Sequence, residues 1–182
     1  TIYTILSKPV QRWQFLVGKY VGAVLALLLM MALMTIVLIV VFAVQQQEFS
    51  PDRLAVLAKA PAMYFVQMSL LAAVVVCFST FVSPLVNFFL SGGLYLVGSL
   101  FSTFFETLKD SPSTPALAKG LATFVNTVLP NFAYFNIQNP IINPGQQIQS
   151  ESQYYIMATG YGLLYIAIML IIGMLVFERR EV

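Results

Sequence analysis

The chain has 182 residues, of which 59% are hydrophobic and 9% charged. Soluble domains need roughly 25% charged residues to cover a water-facing surface, so most of this surface faces lipid and a soluble globular class is excluded. The net charge of +2 offers no basic field for nucleic acid. The absence of histidine and the single cysteine, Cys77 in an apolar run, leave no disulfide framework and no Cys/His metal site. Cys77 reads as a small buried or lipid-facing residue.

The chain opens with threonine, and no signal peptide precedes its first span, so it is expected to be part of a longer protein that enters here within a cytoplasmic segment. Thr1 to Ser7 is helix-compatible, with Ile2, Ile5 and Leu6 on one face, and Pro9 ends it. "VQRWQFLVGKYVG" restarts as a helix that dips into the membrane. There Arg12 and Lys19 snorkel to headgroups, while Trp13, Phe15 and Tyr20 sit at the interface.

A bilayer core of about 30 Å takes about 20 apolar helical residues, and four runs qualify: about 21–44, 62–82, 85–105 and 154–177. The expected fold is therefore an all-α integral membrane protein with four transmembrane helices. Gly18, Gly22 and Ala26 form a small-residue row that would permit close helix contact in the first span. Ser50, Pro51 and Asp52 read as the start of a short helix in the first outer loop, which Pro61 would stop. Gln67, early in the second span, needs a partner inside the bundle, because an unpaired amide in hydrocarbon costs several kcal/mol. The second and third spans are separated only by "VSPLV". Proline breaks the backbone ladder and disfavours helix at the residue before it, so a tight helical hairpin is expected there.

In the third span Asn87, Ser91, Tyr95, Gly98 and Ser102 fall within about 80° of one another at 100° per residue. Such a stripe packs on another helix, or lines a path or a dimer seam. The long segment between the third and fourth spans holds an amphipathic stretch, about 115–138. Leu117, Leu121, Phe124, Val125 and Val128 share a face, and Pro130 ends the helix. It is too short to span. It is expected to lie in the outer interface or to re-enter and cap the bundle from outside, since non-helical backbone at depth must be buried in protein or line a wet cavity.

Four spans put both ends on one side. Lys8, Arg12, Lys19, Arg179 and Arg180 crowd the ends on that side, against Arg53, Lys59, Lys109 and Lys119 on the other. The positive-inside rule then places both termini in the cytoplasm. No phosphate loop, no acid pair within a span and no histidine is present, so neither ATP hydrolysis nor an intramembrane proton relay is encoded here, and enzymatic activity is not expected.

"TIYTILSKPVQRWQFLVGKYVG" resembles the segment between the second and third spans of ABC transporter permeases of the type-2 exporter family. The likeness rests on Thr1, Ile5-Leu6-Ser7, Lys8, Pro9-Val10, Arg12, Phe15 and Gly18-Lys19, with Gln11 departing from the frequent serine. The specific motif covers about the first 20 residues; the layout of spans agrees over most of the rest. The resemblance implies that residues 1–182 are a partial permease domain, with four of six spans. It implies a cytoplasmic coupling helix that docks on a separate ABC ATP-binding subunit through Thr1, Tyr3, Ile5, Leu6, Ser7, Lys8, Pro9 and Arg12. It further implies a second permease copy, membrane lipid around the pair, ATP and Mg in the partner subunit, and a place in the inner membrane of a prokaryote. The competing possibility is a non-transporting membrane anchor or scaffold for a cytoplasmic partner complex.

Overall fold

The computed structural model describes residues 11–46, 51–110, 129–135 and 151–179, together with 120 and 123. It describes backbone alone at 12, 46, 51–56, 100–110, 151 and 179. Residues 1–10 and most of the 115–138 segment lie outside the described residues.

Four long helices carry the fold: α1 (Arg12–Gln46), α2 (Pro51–Phe78), α3 (Pro84–Asp110) and α4 (Glu151–Arg179). A short 3₁₀ turn, Phe132–Phe135, lies between α3 and α4. No strand occurs among the described residues, and the fold is all-helical. Trp13–Gln45, Leu57–Phe78 and Ser152–Glu178 are each long and apolar enough to cross a membrane, and Pro84–Ser99 is a shorter apolar helix.

Three contacts gather the start of α1, the end of α2 and the end of α4 at one end of the bundle, here the base. Phe15 stacks on Phe177 at 6.5 Å. Lys19 Nζ donates to Ser79 Oγ at 2.9 Å. Leu16 is buried and lies against Gly173 beside Cys77. The chain then runs up in α1, down in α2, up in α3 and down in α4.

The hairpin at the base forms where Pro84 demands it. Ser79, Thr80, Phe81 and Val82 close turns onto Val75, Cys77 and Phe78, and Ser83 O accepts the amide of Asn87 as α3 begins. Pro84 thus occupies the first helical position, where its missing N–H is no loss. At Pro61 the structure departs from expectation. The proline lies inside α2, which runs unbroken from Pro51 to Phe78. A missing N–H is tolerated within a membrane helix when neighbouring helices and local adjustment hold the backbone, and α2 packs on α1 and α4 along its length. A groove of about 360 Å³ opens between α1 and α2 beside Pro61.

The distribution of polarity is inverted relative to a soluble protein. Gln67, Ser69, Thr80, Asn87, Ser91 and Asn131 are buried, whereas Leu25, Leu29, Met34, Val44, Phe88 and Ile156 are exposed. Water would penalise such a surface; lipid supplies what it lacks. α2 is the central helix, with Leu70, Ala73 and Val74 fully buried, and it packs most extensively on α4. The most apolar stretch of α1 has no buried residue. With 35 residues, α1 extends over about 52 Å at 1.5 Å per residue, so it tilts or protrudes beyond the hydrocarbon core. Among the described residues the glycines of the small-residue row at its start make no close contact: a Cβ built on Gly18 or Gly22 meets nothing within 4 Å.

Candidate functional site: a polar stripe and a buried turn

The 3₁₀ turn is short, aromatic and placed deep among α2, α3 and α4, with Phe132 and Phe135 fully buried. Backbone at that depth needs partners, and side chains from two helices supply them. Gln67 Nε2 on α2 donates to Phe132 O at 3.3 Å. Tyr154 Oη on α4 donates to Tyr134 O at 2.8 Å. Asn131 N donates to Tyr161 Oη at 2.9 Å, and Asn131 Oδ1 accepts the amide of Ala133 at 3.0 Å. The last bond is a local Asx cap that starts the turn. Gln67, whose amide demanded a partner from the sequence alone, thus finds one in a segment 65 residues away.

Two glycines let the turn enter. A Cβ on Gly98 of α3 would lie 2.6 Å from both Phe132 Cδ2 and Pro130 O, and one on Gly162 of α4 would lie 2.8 Å from Val66 Cγ1 and 3.1 Å from Phe135 Cζ. Only glycine accommodates these approaches without displacing backbone or ring.

The polar stripe of α3 divides into two parts. At the base Asn87 Nδ2 donates to Val75 O at 3.0 Å, and Ser91 Oγ donates to Asn87 Oδ1 at 3.0 Å. Val75 O, in the last turn of α2, also accepts the amide of Ser79 at 2.9 Å, so this one carbonyl takes a donor from its own helix and one from α3. Higher up, Tyr95 packs on Phe132 with ring centroids 5.3 Å apart, and Gly98 meets the turn as described. Ser102 continues α3, and its side chain lies outside the described residues. Two buried side-chain atoms near this junction, Gln67 Oε1 and Ser99 Oγ, have no hydrogen-bond partner among the described residues.

Tyrosines flank the turn on the α4 side. Tyr134 and Tyr161 meet edge to face at 5.6 Å and 86°, and Tyr161 packs on Tyr165 at 4.8 Å. Periodicity gave no hint of this cluster, because Tyr134 reaches it from a different element. Among the described residues no group of His, Cys, Asp or Glu could hold a metal ion. Thr1, Tyr3, Ile5, Leu6, Ser7, Lys8 and Pro9 lie outside the described residues; Arg12 is the first residue of α1, and its side chain lies outside them too.

Comparison with curated proteins and with solved structures finds no match. A protein-family comparison matches residues 1–182, the whole chain, to the family described as ABC-2 family transporter protein. An all-helical bundle with apolar helices exposed outward and polar groups turned inward accords with that match. The chain belongs to the ABC-2 transporter family, and it is a multi-pass membrane permease component of an ABC transporter.

Proposed function

We infer that the chain is the membrane half of an ATP-driven exporter, moved by a separate ABC ATP-binding subunit that holds ATP and Mg. The observation that carries this is the unbroken course of α1. A 35-residue helix starts at Arg12, the last of the proposed docking residues, and runs to Gln46. A force applied at Thr1–Pro9 would reach the opposite end of the bundle through one rigid element, and Leu16, Phe15 and Lys19 would pass it to α2 and α4 at the base. Tyr3, Ile5 and Leu6 would seat in the ATP-binding subunit, with Lys8 and Arg12 meeting acidic groups or lipid phosphate. Two permease copies would pair, and both termini of this segment would face the cytoplasm of a prokaryotic cell. The buried 3₁₀ turn would cap the path from the outer side, next to the Asn87–Gly98 stripe.

Co-purification tests the proposal. The full-length permease should carry an ABC ATP-binding subunit out of membranes, and Leu6→Asp should reduce that recovery at least ten-fold while leaving the permease in the membrane. Absence of any ATP-binding subunit from the wild-type preparation, or its full retention by Leu6→Asp, would favour the anchor or scaffold alternative.

A further inference from the structure

At the end of the bundle opposite the base, Tyr134, Tyr154, Met157, Ala158 and Tyr161 line a recess of about 320 Å³. That volume lies at the small end of the ~300–1,000 Å³ range of small-molecule sites. Its chemistry is narrow. Two of its three tyrosine hydroxyls are committed to the turn's backbone, Tyr154 Oη to Tyr134 O and Tyr161 Oη to Asn131 N. Tyr154 thus has no proton left for a ligand, and the wall these rings present is almost wholly carbon. Tyr134 and Tyr161 stand at 86° to each other and form the two walls of a corner, and the exposed thioether of Met157 borders it. None of the described lining residues is charged, and the sequence from 136 to 150, which joins the turn to α4, contains no charged residue either.

Three ligand classes can be weighed against these walls. An acyl chain gains nothing, since the bilayer beside it is equally apolar. A sugar needs several hydrogen-bonding partners, and two of the three hydroxyls are occupied. A carboxylate or phosphate finds no cation among the described lining residues. A weakly hydrated cation is attracted by the faces of the rings themselves, and aromatic corners of this kind are how quaternary ammonium groups are held.

We propose that the recess formed by Tyr134, Tyr154 and Tyr161 binds a quaternary ammonium group. This goes beyond the transport proposal and does not depend on it, because binding is measured without ATP or cargo movement. The probes are choline and its neutral isostere 3,3-dimethylbutan-1-ol, titrated against the full-length protein in nanodiscs of phosphatidylglycerol. Choline should bind at least ten-fold tighter than the isostere. Tyr134 is 45% exposed, so its replacement leaves the packed interior in place: Tyr134→Leu should weaken choline binding at least five-fold, and Tyr134→Phe should keep it within two-fold. Met157→Trp, at a site 63% exposed, should fill the recess and abolish binding. Repeating the titration in phosphatidylcholine nanodiscs identifies the source. Loss of choline binding there assigns the site to a lipid headgroup, and unchanged binding assigns it to a soluble cation; either result upholds the proposal. Equal affinity for choline and the isostere, no binding of either, or undiminished binding by both Tyr134→Leu and Met157→Trp would overturn it.

Discussion

At the scale of single residues, two glycines on the same helix should respond in opposite ways. Gly98 faces backbone and ring at 2.6 Å, whereas Gly92, exposed on α3, has nothing within 4 Å of a built Cβ. Gly98→Ala should destabilise the protein by about 1–3 kcal/mol, the usual cost of overpacking. Gly92→Ala should be neutral or stabilising by up to about 1 kcal/mol through helix propensity. Thermal unfolding in detergent separates them, and equal melting temperatures would contradict the packing described here. Asn87 should prove more costly to lose than Thr35. Asn87 links α3 to α2 through Val75 O and is held in place by Ser91 of its own helix, whereas the Thr35 hydroxyl, among the described residues, bonds within its own helix, to Met31 O at 2.7 Å. Interhelical bonds in membranes average roughly 0.6 kcal/mol, with a maximum near 1.7. Asn87→Leu should therefore lower stability by about 1 kcal/mol, and Thr35→Val should leave it unchanged in the same assay.

At the scale of elements, the 3₁₀ turn holds the upper halves of α2, α3 and α4 together, and Phe132 is its anchor. Phe132→Ala should cost about 3–5 kcal/mol, as a large buried aromatic does, and should loosen α3 from the turn. A disulfide or cross-link reporter between α3 and α4 would register the loosening, and an unchanged cross-linking rate would count against an anchoring role. How much of this was legible in the sequence depended on the reach of each signal. The Ser83-Pro84 break was readable because proline acts on its own backbone. The α3 stripe was readable as a face because helical periodicity is local. Pro61 was misread by the same local rule: α2 continues through the proline as part of a membrane-length helix, which a local reading of the loop does not show. Small-residue spacing pointed to Gly18 and Gly22, yet close approaches occur at Gly98 and Gly162. Spacing alone does not say which face meets a neighbour. The tyrosine recess joins Tyr134 to Tyr154 and Tyr161 across an intervening segment, and no periodic pattern encodes such a meeting.

At the scale of the whole molecule, composition was enough to assign the bundle to lipid, and the inverted distribution of polar and apolar side chains follows from it. Membership of the ABC-2 transporter family makes the chain a membrane permease component, and its opening stretch, Thr1–Pro9, is the segment proposed to dock. The proposal needs that opening stretch to face the compartment where ATP is found. Cysteine placed at Ser7, in a Cys77→Ala background, measures this with a membrane-impermeant maleimide on cells producing the full-length protein. The account predicts no labelling from outside intact cells and full labelling once the membrane is opened; labelling of intact cells would contradict it.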